Sequence, residues 1–225
     1  MSDELELRRL ADLTDAELSE LYAPRGEPWL RVNFVSTVDG AAQGADGLSK
    51  SINNDADGRV FGMLRERADC LVVAAGTLRE EAYEVPEVPL VVVTRSADLP
   101  PSLADAPDGR ILMATVASAD GLAEARKELG EENVLVLGDE EVDLAALKST
   151  LAGRGWTEQL CEGGPALFGS LLAAGVVDEL CHTVVPRLFA GDHKRISGGD
   201  EVDVELKPIT LLEQDGTLLA RWLTA

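Results

Sequence analysis

Cations, histidine and cysteine are all scarce in this chain of 225 residues. Twenty lysines and arginines face 41 aspartates and glutamates, a formal charge of −21. So acidic a surface repels phosphate backbones and anionic lipid, which argues against nucleic acid or a membrane surface as partner. The two histidines, His182 and His193, have no nearby Ser or Asp pattern that suggests a triad, and neither CxxC nor HxxxH spacing occurs. No metal site and no Cys–His or Ser–His–Asp nucleophile system is therefore expected. The cysteines, Cys70, Cys161 and Cys181, lie singly in apolar runs and read as buried hydrophobes of a reducing compartment. GxSxG, GK[ST] and GxGxxG are all missing. Their absence removes a nucleophile elbow, ATP hydrolysis at a Walker loop and the Rossmann mode of dinucleotide binding. No apolar run reaches the roughly 18 residues of a membrane span, and MSDELELRRL carries no signal-peptide core, so the expected location is the cytoplasm.

What is there is an alternation. Apolar residues make up 45% of the chain, and a chain of this length buries about 70% of its unfolded surface without staples. Residues 1–28 read as an N-terminal extension with one short helix behind the capping box Thr14-Asp15-Ala16-Glu17. Strands are then expected at Leu30–Val38, Cys70–Ala75, Leu90–Thr94, Ile111–Thr115, Val134–Leu137, Thr157–Cys161 and Leu180–Val185. Between them run helical spacings. Val60, Met63, Leu64 and Arg67 follow caps at Asn53, Asn54 and Asp55, and Leu122, Ala125 and Leu129 are closed by Gly130. Leu144, Leu147 and Leu151 follow Asp143, and a last helix runs from Pro165 to a stop at Gly175. Two extended segments, Val202–Glu213 and Thr217–Leu223, meet at Asp215-Gly216, a hairpin signal. Repeated βα units predict an α/β domain: a mainly parallel central sheet, helices on both faces and a C-terminal antiparallel hairpin.

In such sheets ligands bind at the carboxyl ends of the strands. The sharpest junction is Cys161-Glu162-Gly163-Gly164-Pro165-Ala166-Leu167-Phe168. Two glycines admit close backbone approach, Pro165 presets the first helical turn, and the helix N-terminus suits a pyrophosphate. Ala75-Gly76-Thr77 is a second strand-to-helix junction. Thr94-Arg95-Ser96 is a third, with hydroxyls and a guanidinium suited to a phosphomonoester.

These residues, in this order, resemble a known family. Ser36-Thr37-Val38-Asp39-Gly40, Gly47-Leu48-Ser49, Leu64-Arg65, Ala68-Asp69, Gly76-Thr77 and Glu162-Gly163-Gly164-Pro165-Ala166-Leu167 carry the likeness, with Gly175-Val176-Val177-Asp178-Glu179-Leu180, Pro186 and Gly191 beyond them. From about Trp29 onward the chain is similar to the reductase domain of the bacterial riboflavin-biosynthesis deaminase/reductase, in a stand-alone form with the dihydrofolate reductase-like fold. The resemblance implies a reductase domain over 29–225, NADPH as hydride donor and, as substrate, a pyrimidine ribosyl-amine 5′-phosphate of the 5-amino-6-(5-phosphoribosylamino)uracil type. It also implies a homodimer.

By the same resemblance the cofactor would be held by Gly76, Thr77 and Glu81, by Thr94, Arg95 and Ser96 at its 2′-phosphate, and by Gly163, Gly164, Pro165, Ala166, Leu167 and Phe168. Substrate contacts would come from Asn33, Asp39, Ser49, Arg65 and Glu162, with Arg65 or a neighbour on the phosphate. Glu162 and Asp57 are the candidate catalytic carboxyls. Asn33 stands where the bifunctional enzymes carry lysine. Ala56-Asp57 with Phe61 resembles the substrate helix of dihydrofolate reductase, where a carboxylate binds the pyrimidine amidine edge. Two alternatives stay open: a reductase of a pterin or another imine or carbonyl, and a non-catalytic NADP-binding module.

Overall fold

The computed structural model describes residues 5–81 and 83–224. The first four residues of the expected extension, Ala82, and the last residue of the expected reductase domain lie outside them. The strands are β1 (Leu7–Arg9), β2 (Trp29–Thr37), β3 (Cys70–Ala74), β4 (Leu90–Val93), β5 (Ile111–Thr115), β6 (Val134–Val136), β7 (Glu158–Cys161), β8 (Glu179–Val185), β9 (Leu206–Gln214) and β10 (Thr217–Thr224). The helices are α1 (Asp15–Leu21), α2 (Asp55–Arg67), α3 (Ala75–Glu80), α4 (Leu122–Leu129), α5 (Leu144–Gly153) and α6 (Pro165–Ala173).

Local chemistry accounts for most of these boundaries. Thr14 and Glu17 close the capping box of α1, the Thr14 N–H donating to Glu17 Oε2 at 2.9 Å. Asn54 Oδ1 accepts from the Asp57 N–H at 3.1 Å to start α2, and Asp143 Oδ1 accepts from the Ala146 N–H at 2.8 Å to start α5. The β9–β10 hairpin turns on Asp215 and Gly216, with φ of 51° and 79°, the two positive angles that a tight primed turn demands.

Among the described residues the strands form one ten-stranded sheet in the order β1-β9-β10-β8-β2-β7-β3-β4-β5-β6. Every pairing from β8 through β6 is parallel, and β10 runs antiparallel to both β8 and β9. The continuous apolar runs became the middle strands because both of their faces are covered. Leu71 and Val73 of β3 join the core under α1, α2 and α3, whereas Cys70 and Val72 join the core under α5 and α6.

The N-terminal extension departs from its expected form. Beyond its helix it adds β1 to the sheet, paired in parallel with β9, and Leu10, Leu13, Leu18 and Tyr22 enter the main core. Arginines fasten it, Arg31 and Arg221 buried and Arg59 half-buried. Arg59 donates to the Leu10 and Leu13 carbonyls at 2.9 and 2.6 Å, and Arg31 to the Tyr22 carbonyl at 2.6 Å. Arg221 reaches the carbonyls of Leu21 and Ala23. Between Arg31 and Arg221 sits Glu179, fully buried, which also accepts from Trp29 Nε1 at 2.9 Å. Burial alone would raise this carboxyl, but the hydrogen bonds and charge of Arg221 and Arg31 outweigh it and hold the pKa at about 2.

Candidate active site

A cleft of about 510 Å³ opens on the α2 face of the sheet, at the carboxyl end of β7. Parity along the strands decides which side chains reach it. On β2, Leu30 and Val32 point into the core under α6, so Asn33 points the other way, into the cleft. Val32 pairs with Cys161, so Asn33 and Glu162, the next residues of β2 and of the β7 end, stand side by side on the cleft face. Opposite them α2 presents Asp57, Phe61 and Arg65, spaced four residues apart along one stripe.

Arg65 and Glu162 form a bidentate ion pair, Nε to Oε1 at 2.7 Å and Nη2 to Oε2 at 2.8 Å. The guanidinium also meets the Tyr83 hydroxyl and lies 4.4 Å from the centre of the Phe61 ring. Burial raises the proton affinity of Glu162, with the Arg65 hydrogen bonds and charge pulling against it. Asp57 is raised in the same way by burial, opposed only by a hydrogen bond from Thr183. Ser49 donates its N–H to Glu81 Oε1 at 2.9 Å, joining an expected substrate contact to an expected cofactor contact.

The Glu162-Gly163-Gly164-Pro165 junction is held by β3: the Glu162 N–H donates to the Val72 carbonyl at 3.1 Å, and the Gly163 carbonyl accepts from the Ala74 N–H at 2.8 Å. Gly163 has φ +99°, and a Cβ there would meet the Phe34 ring at 2.9 Å. A Cβ on Gly164 would fall on the Thr77 hydroxyl. Only glycine fits at either position, and the backbone is left bare beside the cleft. The first earned helical donor of α6 is Phe168, which bonds the Gly164 carbonyl at 3.0 Å, leaving the Ala166 and Leu167 N–H groups at the helix start without helical acceptors. This bare turn, with Gly76 and Thr77 next to it, fits the backbone-bound pyrophosphate of a dinucleotide.

The cleft thus gathers Asn33, Ser49, Asp57, Arg65, Thr77, Glu81, Glu162, Gly164 and Pro165. Other expected residues fall elsewhere. Leu167 and Phe168 are buried in the core, Phe168 stacked on Phe34 with ring centres 5.4 Å apart, so only their backbones face the turn. Thr94, Arg95 and Ser96 end β4, two strands from β7 along the same sheet edge, with Arg95 and Ser96 exposed. Asp39 does not line the cleft. It accepts from the Thr37 hydroxyl and from the Ala190 and Phe189 N–H groups, which hold its carboxyl down at about 2, and so it clasps two loops together. Tyr83, Glu80 and Glu84, which line the cleft, and Thr183 of β8, which bonds Asp57 behind it, carried no local signal, because the end of α3, the segment after it and β8 meet only in the fold. Among the described residues no three His, Cys, Asp or Glu side chains converge to hold a metal ion.

Sheet order, helix layers and the C-terminal antiparallel strands make this an α/β fold with a mainly parallel central sheet, and the chain is an oxidoreductase built on it. It belongs to the family described as the RibD C-terminal domain, whose model matches residues 28–218. The 2,5-diamino-6-ribosylamino-4(3H)-pyrimidinone 5′-phosphate reductase of Methanothermobacter thermautotrophicus is 30% identical over 190 residues, covering 78% of this chain and 86% of that protein. The riboflavin biosynthesis protein RibD of Mycobacterium tuberculosis is 26% identical over 189 residues, covering 80% of this chain but only 47% of its own length. A pyrimidine reductase-like protein of Corynebacterium diphtheriae shares the fold with a TM-score of 0.75 at 21% identity, over 95% of this chain and 99% of that one.

Proposed function

We propose that the chain is an NADPH-dependent reductase of a ribosylaminopyrimidine 5′-phosphate. The observation that carries this reading is the placement of Glu162: a buried, Arg65-held carboxylate at the end of β7, directly before the glycine turn and across the cleft from Asp57. The Methanothermobacter thermautotrophicus relative is named for a substrate of this class, which supports it. The Gly163–Pro165 turn with Gly76 and Thr77 would hold the cofactor pyrophosphate, and Thr94, Arg95 and Ser96 its 2′-phosphate. Held there, NADPH would supply a hydride.

The reaction adds that hydride to the ribosyl C1′, breaks C1′–O4′ and leaves a proton on O4′, giving a ribityl chain. Glu162, whose proton affinity burial raises, is placed to carry that proton or to accept from the ribosyl hydroxyls. Arg65 fixes its carboxylate plane, and Phe61 offers an apolar face to the base. Arg65 is already committed, so the substrate phosphate falls to Lys50 at the cleft rim, which has no carboxylate within 4.0 Å among the described residues. Asp57 also favours a second reading, a pterin reductase, since a buried carboxylate suits an aminopyrimidine edge of either ligand. Loss of NADPH absorbance with the ribosylaminopyrimidine phosphate and not with dihydropterin is the expected result. Turnover of the pterin alone overturns the first reading.

A further inference from the structure

Tyr83 reaches the cleft from the segment after α3, and its hydroxyl is only half used. The oxygen accepts from Arg65 Nη2, the same nitrogen that donates to Glu162 Oε2. Phenol and carboxylate therefore stand two hydrogen bonds apart, around one guanidinium. A tyrosine hydroxyl also has one hydrogen to give, and among the described residues no acceptor takes it. The ring is fixed as well as the oxygen. It packs against the main core, and the guanidinium carbon of Arg65 lies 5.2 Å from its centre and 4.4 Å from that of Phe61.

The two carboxyls of the cleft are less suited to give a proton beside Glu162. Glu162 itself has both oxygens on Arg65, which favours its ionised form and leaves it the accepting role toward the ribosyl hydroxyls. Asp57 lies two turns of α2 from Arg65, about 12 Å along the helix axis. Building on the function proposed above, we propose that Tyr83 is a catalytic residue, the general acid that protonates O4′ as the ribosyl ring opens. The C1′–O4′ bond breaks with its electron pair going to O4′, which takes the Tyr83 proton. The lone pair of the exocyclic nitrogen closes a C1′=N iminium, and C1′ is then the electron-poor carbon that takes the hydride. The phenolate left behind is held by the Arg65 guanidinium through a charge-assisted bond. Tyr83 is half-buried, so it regains its proton from water once product leaves.

The test uses the fact that the chain has two tyrosines, of which Tyr22 is sealed in the core at 1% exposure. Tyr83→Phe keeps the ring and its packing and loses only the hydroxyl. It is expected to lower kcat by about 10²–10⁴-fold while NADPH affinity stays unchanged. Protein made with 3-fluorotyrosine carries a more acidic phenol, so the alkaline fall of kcat/KM should begin at lower pH than in unmodified protein. The other charged groups lining the cleft do not mimic that shift. Arg65 keeps its charge, and Asp57, Glu80, Glu81, Glu84 and Glu162 are carboxyls, a type that ionises before the alkaline range. Lys50 and Lys194 are of a type that titrates there, but fluorine does not touch them. A Tyr83→Phe kcat near that of the wild type overturns the proposal, and so does an alkaline limb that fluorine leaves in place. If NADPH binds and unmodified protein reduces no ribosylaminopyrimidine phosphate, the functional reading itself fails and this proposal falls with it.

Discussion

Glu162 and Arg65 were separate expectations, one catalytic and one for a phosphate, and the fold makes them a single unit. A carboxylate gripped at both oxygens cannot swing, so its role is set by position and by the proton affinity that burial confers. Glu162→Gln is expected to lower kcat/KM by about 10²–10⁴ while leaving NADPH affinity intact, measured by steady-state rates and cofactor titration. Arg65→Lys keeps the charge but loses the two-pronged grip, so kcat should fall with little change in KM. A raised KM at unchanged kcat would instead return Arg65 to the substrate phosphate. At the sheet edge, Arg95→Ala should weaken NADPH binding by about 1.5–3 kcal/mol and leave NADH nearly untouched, the signature of one charge-assisted bond to the 2′-phosphate. Equal losses for both cofactors would remove Arg95 from that role.

Among the elements, the β7–α6 junction concentrates the most constraint. Its two glycines were read as room for a ligand, and the structure adds a second cause: Phe34 and Thr77 occupy the space where side chains would stand. Gly164→Val is expected to displace Thr77 and block the turn, abolishing the NADPH fluorescence change while circular dichroism stays near that of the wild type. Retained binding would make the turn a plain connection. Helix α2 shows how one element serves two neighbours. Val60, Met63 and Leu64 bury its core stripe, while Asp57, Phe61 and Arg65 form the stripe that walls the cleft. The hydrophobic spacing that announces the helix therefore also decides which of its polar residues face the site.

Across the whole molecule, the buried Arg31–Glu179–Arg221 group ties the N-terminal segment to the sheet through the carbonyls of residues 21–23. Removing the central charge leaves two buried guanidiniums without a counterion, which costs about 3–5 kcal/mol. Glu179→Gln should lower the Tm by roughly 6–20 °C for a chain of this size. The pH dependence has a definite sign. Glu179 ionises at about 2 in the folded protein against an ordinary value of 4.5, so its contribution is present above about pH 4.5 and is lost as pH falls towards 2. The wild type should lose stability across that window in acid unfolding followed by circular dichroism. Glu179→Gln should lose correspondingly less, and an unchanged slope would mean the pair does not stabilise the native state.

The sequence by itself determined the elements and much of the site's cast. Capping boxes, glycine stops, apolar runs and the Asp215-Gly216 turn are local physics, and they placed the strands and helices to within a few residues. Glu162, Gly164 and Asp57 were legible because each sits at a strand end or a helix start, whereas Arg65, in the last turn of α2, and Asn33, in the middle of β2, came only from the family resemblance. Tertiary structure alone decided the strand order, the addition of β1 beside β9, the meeting of Arg65 with Glu162, and the diversion of Asp39 into a loop clasp. Those outcomes join residues as much as 204 positions apart, as in Leu7 with Leu211. No local propensity encodes such a pairing, because it forms only when burial of the whole sheet offsets the entropy of closing the chain between them.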